Sequence, residues 1–376
     1  MTGVKTGGID RRRVVPPALV ALVALVLAAC TPVAEPMGDV GVAADRAPLT
    51  ALVPDADPRA VQGPSTAVLG DAAVEPVDES PTQSLPTTVV SRDLTGALPV
   101  TVTDTSRVVA MDLSGSLAAT VWGLGFGERL VGRDVSTTFP GAADLPVVTG
   151  EGHTVNAEAI IALAPTLVIT DGSIGPADVV QQLRDVGITV VFVERASSFE
   201  GAAELAREVG ATFGAPAAGD RLAERIASDV ERTRGEIATL APTDPDDRLR
   251  MAFLYLRGSA GVYYLFGSES GADDLIAGLG GRDVAAELGW TGMQPLTDEA
   301  MVAADPDLIL VMSDGLASVG GVDGLLEDKP AIALTAAGQH RRFVDMADGQ
   351  ILSFGPRSAA VLDALARAVY APETQP

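Results

Sequence analysis

A long apolar stripe on a helical period runs through the middle of the chain. Leu222, Ile226, Val230, Ile237 and Leu240 are spaced by 4, 4, 7 and 3 residues, with Arg, Glu, Asp and Ser filling most of the remaining positions. That pattern is one buried face of an α-helix. Pro216 precedes it, and Pro242 with the Thr-Asp-Pro-Asp-Asp run ends it, as prolines do at helix boundaries. A helix over residues 217–240 would measure ~36 Å at ~1.5 Å per residue, the width of a small domain. Such a helix can be a crossover inside one domain or a bridge between two.

Repetition on either side favours the bridge. Asn156-Ala-Glu158-Ala-Ile-Ile-Ala-Leu-Ala-Pro165-Thr-Leu167-Val-Ile169 stands before it, and Thr297-Asp-Glu299-Ala-Met-Val-Ala-Ala-Asp-Pro306-Asp-Leu308-Ile-Leu310 after it, at a constant offset of 141. Each reads as a capped short helix, a proline break and an apolar strand. One long-period duplication predicts two similar lobes, whereas solenoids repeat every 20–50 residues.

The rest of the globular part alternates in the same way. Apolar runs at 108–111, 146–149, 167–170 and 189–193 are separated by helical patterns at 117–124, 158–163 and 179–186. Past the long helix come 250–256, 262–266, 273–279, 298–304, 308–312, 331–334, 343–345 and a closing helix at 358–370. Strands alternating with helices predict an α/β fold: two Rossmann-like lobes with parallel sheets covered on both faces. Ligands of such sheets sit beyond the carboxyl ends of the strands, so two lobes on one helix would put those ends across a cleft.

The N-terminus carries an address. Lys5 and Arg11–Arg13 form a basic region, and residues 18–29 are an apolar run of 12, too short to span a ~30 Å hydrocarbon core. It ends Leu27-Ala28-Ala29-Cys30, which resembles a bacterial lipobox: residues 1–29 would be removed and Cys30 lipidated, leaving the protein on the outer face of the cell membrane. Cys30 is the only cysteine, which excludes internal disulfides and thiolate metal clusters. Residues 30–100 are rich in Pro and Ala, and 31–98 lack aromatics altogether. They read as a disordered tether, because they offer too little apolar surface to offset ordering entropy. The lobes are then expected over 101–214 and 243–376, with the linking helix over 215–242.

Charge narrows the partners. Losing residues 1–29 removes four positive charges and one negative, taking the formal charge from −24 to −27. Nucleic acid and anionic membrane surfaces need basic patches, so neither fits; a monomer is expected. No nucleophile elbow, phosphate loop or His-Glu-x-x-His is present, and a chain with two histidines is not expected to be an enzyme.

Signal, lipobox and the Asn-Ala-Glu-Ala-Ile-Ile-Ala-Leu-Ala-Pro-Thr-Leu-Val-Ile signature together resemble the substrate-binding lipoproteins of ABC importers, in the branch that handles haem, ferric siderophores and cobalamin. The resemblance covers residues 107–370 and implies delivery of a ligand to a membrane permease and its ATPase. It does not choose the ligand.

Side chains bear on that choice. His153 follows the 146–149 run and precedes the helix capped near Asn156, on the carboxyl rim of the first lobe. Tyr255 and Arg257, two residues apart on a strand, share one face, and a guanidinium beside a phenol favours the phenolate. Phenolate suits ferric iron, and tyrosine is a known haem ligand type. His153 and Tyr255 would then grip a ferric haem from opposite lobes. The same positions resemble those of the haemin-binding lipoproteins of Gram-positive bacteria, in which a Gly-His and a Tyr-x-Arg supply the axial ligands and a tuning arginine. That likeness implies pocket roles for Met293 and haem as the transported ligand. Trp290, Phe139 and Phe354 are further pocket candidates as apolar residues near loops, and Tyr263 and Tyr264 compete with Tyr255. His340, in the basic run Gln339–Arg342, reads as surface. Related binders dock on permease arginines through one carboxylate per lobe, for which Asp178, Glu158 and Glu299 are candidates. A siderophore or cobalamin receptor of the same fold is the alternative.

Overall fold

The computed structural model describes residues 46–372 apart from 94, 95, 177, 259, 260 and 296. Cys30 and the expected leader lie outside the described residues. The strands are β1 (Ser65–Thr66), β2 (Thr87–Asp93), β3 (Gly96–Val102), β4 (Val108–Met111), β5 (Leu130–Arg133), β6 (Leu167–Thr170), β7 (Thr189–Phe192), β8 (Arg250–Arg257), β9 (Val262–Phe266), β10 (Arg282–Asp283), β11 (Met293–Pro295), β12 (Leu308–Met312) and β13 (Phe343–Met346).

They form one sheet in each of two α/β lobes and a separate two-stranded β2–β3 sheet. The first lobe holds β5-β4-β6-β7, all parallel. Its strands are short and apolar on both faces, as the near-continuous runs of a doubly covered sheet must be. In the second lobe β1-β13-β12-β8 are parallel, but β8-β9-β11 are antiparallel, with β10 beside the start of β8. The all-parallel expectation is corrected there. β8 and β9 are too close in sequence to fit a crossover helix, so they pair as a hairpin.

Alternation along the strands builds three apolar layers. Val109, Met111, Val168 and Val190 face outward onto Ile160, Val179 and Leu183 of the first lobe's outer helices. Ala252, Leu254, Ile309 and Val311 do the same on the far side of the second lobe. The inner faces, Val108 and Ala110 of one sheet and Met251, Phe253, Leu308 and Leu310 of the other, belong to one common core. The linking helix Pro216–Ile237 runs through that core, with Leu222, Ile226, Val230, Ile237 and the following Leu240 all buried as the stripe predicted. The preceding helix, Phe199–Thr212, crosses it at Gly210 and Gly219. A Cβ on Gly210 would lie 2.6 Å from the Gly219 Cα, so the crossing depends on two residues without side chains.

The disordered-tether expectation is corrected from residue 46 onward. Leu49, Ala67, Leu69 and Val74 are buried in the common core. β1 extends the second lobe's sheet along β13, and Val77 N–H donates to Gly123 O of the first lobe. The β2–β3 hairpin flanks β7, where Ser91 Oγ accepts from Phe192 N–H. The segment thus straps both lobes. Composition judged it unable to build a core of its own; it instead fills grooves and a sheet edge that the lobes already provide.

Two smaller expectations also change. Residues 146–149 form isolated bridges, Arg133 with Val147 and Thr149 with Val155, rather than a strand. In the basic run Gln339–Arg342, Arg342 is fully buried and donates to the carbonyls of Ala368 and Val369 and to Ser65 Oγ.

Candidate functional site

The loops past the carboxyl ends of β5, β12 and β13 meet around a cavity of about 530 Å³. Val135, Ser136, Thr138 and His153 line it from the first lobe, and Arg257, Asp314, Asp348 and Gly349 from the second. Its size falls within the ~300–1,000 Å³ of small-molecule sites. At its base the lobes nearly touch: a Cβ on Gly349 would sit 2.5 Å from Ser136 O, so this residue has to be glycine.

His153 is held in an unusual backbone conformation, φ 61° directly after Gly152 at φ 66°. Its Nδ1 lies 3.5 Å from Ser136 Oγ, whose hydroxyl donates to Leu113 O at 2.7 Å. Ser136 is therefore left to accept at Oγ, which favours a proton on Nδ1 and a free lone pair on Nε2, the arrangement a metal-binding imidazole needs. Burial, and then the Arg257 guanidinium across the cavity, pull the His153 pKa below its ordinary value. Both effects favour the neutral ring.

On the opposite wall, Arg257 Nε donates to Tyr255 Oη at 2.7 Å. This bond, ahead of the carboxylates of Asp348 and Asp314, raises the arginine's pKa above its usual value. Burial raises Asp348 above the normal carboxylate range, while Asp314 N–H donates to its Oδ1 at 3.0 Å. The phenolic oxygen thus carries a cationic donor. The Tyr255 ring lies nearly parallel to Phe266, with centroids 6.0 Å apart.

Register settles which neighbours share the Tyr255 face, because residues directly opposite on antiparallel strands project to the same side. Tyr255 pairs with Tyr264, Tyr264 with Pro295, and Phe266 with both Phe253 and Met293. Tyr264 and Met293 are therefore on this face, and Met293 is 51% exposed. Tyr263 is not: it pairs with Leu256 on the reverse side, where the Lys329 ammonium lies 4.1 Å from its ring centroid. Trp290 packs into that same outer layer.

The remaining aromatic candidates are core residues. Phe139 is fully buried edge-on to Trp122 at 5.4 Å, and Phe354 is buried edge-on to Phe199 at 5.2 Å. Asp178, Glu158 and Glu299 are exposed in the first turns of their helices. His340 is half-buried at the end of Ala336–His340, and its carbonyl accepts from Gly63 N–H.

Sequence reasoning missed the groups just past the strand ends. Leu113 and Val135, 40% and 46% exposed, follow β4 and β5 by two residues, and Val135 lines the cavity. Ser136, Asp314 and Asp348 were also missed, although each lies within three residues of a strand's carboxyl end. The rule for ligand position in α/β sheets could have found all five.

The model of the family described as periplasmic binding protein matches residues 109–348. Among solved structures, heme binding protein HmuT is 42% identical, with 84% of this chain and 99% of that one covered and a TM-score of 0.77. The ABC transporter substrate-binding lipoprotein YvrC of Bacillus subtilis (strain 168) is 27% identical over 295 residues, 76% of this chain and 89% of its own. A cobalamin-binding protein of Halobacterium salinarum is 31% identical over 208 residues, 54% of this chain and 53% of its own.

Proposed function

The chain belongs to the periplasmic binding protein family, a family of extracytoplasmic, non-enzymatic transport proteins, and from that premise we propose that it captures ferric haem and delivers it to an ABC permease. His153 Nε2 and the Tyr255 oxygen are the axial ligands, one from each lobe, and Arg257 holds the tyrosine as an anionic donor. The observation that carries this reading is the shared cavity: a neutral imidazole on one wall faces an arginine bound to a phenol on the other. Exposed Leu113, Val135 and Met293 suit the flat apolar faces of a porphyrin, which needs polar groups only at its iron and carboxylates. The likeness to heme binding protein HmuT supports the same cargo.

Cys30 anchors the protein through lipid, as the likeness to a substrate-binding lipoprotein supports. Exposed Glu158 or Asp178 on one lobe and Glu299 on the other would meet the permease. The likeness to a cobalamin-binding protein keeps a corrinoid as the second reading.

Haemin titration of the purified protein decides between them. A Soret band saturating at one haem per chain, weakened in both His153→Ala and Tyr255→Ala, is the expected result. No such band, with cobalamin retained on gel filtration, would establish the alternative.

A further inference from the structure

Behind the cleft lies a buried charge with no counter-charge beside it among the described residues. Arg357 is 3% exposed, and among the described residues its side chain makes one hydrogen bond, from Nη2 to Gly349 O at 3.3 Å. Its Nε and Nη1 are buried without a partner. The Phe139 ring lies 5.9 Å away. Burial alone pulls the guanidinium down to about 10, with no carboxylate close enough to offset it. Arg342, buried to the same degree, spends its terminal nitrogens on three carbonyls and a hydroxyl; Arg357 has no such set.

Its place in the chain deepens the imbalance. Arg357 is the residue immediately before the 13-residue helix Ser358–Tyr370, whose first turn has no side-chain cap. The positive end of a helix favours anions, so here it adds to the arginine's charge. Buried water could satisfy the free N–H groups but would leave that charge unpaired. Gly349, whose carbonyl Arg357 holds, lines the cavity and abuts Ser136 across it. Gly349 thus stands between the Arg357 guanidinium and the cavity, whose walls also carry Asp314, Asp348 and Arg257.

We propose that Arg357 and the N-terminus of this helix orient the porphyrin in the cleft, drawing its carboxylate edge inward to the floor. The inference rests on the haem reading. In the opposite orientation the carboxylates would face out towards the rim, where exposed Arg195 stands three residues past β7.

Ferric haem and its dimethyl ester test this, because both keep the iron and only haem carries the charges. The wild-type protein is expected to bind haem roughly tenfold more tightly than the ester, the effect of a buried charge acting across the Gly349 backbone rather than through a direct bond. Arg357→Met should bring the two affinities within about twofold of each other, Arg357→Lys should retain the preference, and the Soret position should stay fixed throughout. Equal affinities in the wild type overturn the proposal without any variant having to fold. A preference that survives Arg357→Met, or that disappears in Arg195→Ala instead, overturns it too. Should neither porphyrin give a Soret shift sensitive to His153→Ala and Tyr255→Ala, the haem reading itself fails, and the orientation with it.

Discussion

Replacing Arg257 by leucine should weaken haem binding in two measurable ways. The first is loss of the 2.7 Å bond from Nε to the Tyr255 oxygen. Hydrogen bonds involving a charged group contribute about 1.5–3 kcal/mol. Arg257 is half-buried, so solvent screening favours the lower figure, which corresponds to roughly tenfold in affinity. The second follows from the arginine's effect on His153, whose pKa is lowered first by burial and then by Arg257. Protons compete with iron for the imidazole, so binding falls as pH drops through the His153 pKa. Without the guanidinium that pKa rises, and the acid limb of the binding curve moves to higher pH. Haemin titrations from pH 5 to 8, on wild type, Arg257→Leu and Arg257→Lys, read both effects. Lysine keeps the charge but not the directed Nε donor, so it should restore the acid limb more fully than the affinity. An Arg257→Leu protein with unchanged affinity and an unmoved limb would refute the reasoning.

Other outcomes follow from the packing and the charges. Gly349→Ala places a methyl about 2.5 Å from Ser136 O and should cost about 1–3 kcal/mol by overpacking, read by urea denaturation, while also weakening haem binding. Leu49→Ala should destabilise by about 2–5 kcal/mol as a large-to-small change in the core, since Leu49 is fully buried there; a true tether residue would leave the midpoint unchanged. Asp134 is held up to about 7 by burial and by Asp112 beside it, against an ordinary carboxylate value of about 3.9. Between those values the folded chain binds the extra proton, so this group's contribution is complete at low pH and is lost as pH rises through 7; Asp134→Asn should flatten that part of the stability–pH curve. Small-angle scattering of residues 46–376 should show only a small change on loading with haem, because both lobes share one core with the linking helix.

Much of the architecture was legible because it repeats. At an offset of 141, Asn156 Oδ1 accepts from Ala159 N–H and Thr297 Oγ1 from Ala300 N–H, each capping a helix that leads into an apolar strand. Tyr255 and Arg257 were readable because strand parity needs only two residues. Parity put one of Tyr263 and Tyr264 on the cleft side; that it is Tyr264 depends on the register with β8, a long-range fact. Phe139 and Phe354 look alike in sequence whether they line a pocket or fill a core; neighbours such as Trp122 and Phe199 decide. The strap was misread because composition measures what a segment can bury by itself, whereas Leu49 and Val74 bury themselves against elements far along the chain.

The common core has a bearing on unloading. Prising the lobes apart would wet Phe253, Leu310, Val108 and the linking helix together, so thermal breathing alone is a poor way to discharge a tightly gripped cargo. Release calls for a lever applied from outside, and the membrane machinery downstream, which consumes ATP, is the natural place for it. Retention in transit and dependence on that machinery are then two faces of a single seam of apolar side chains.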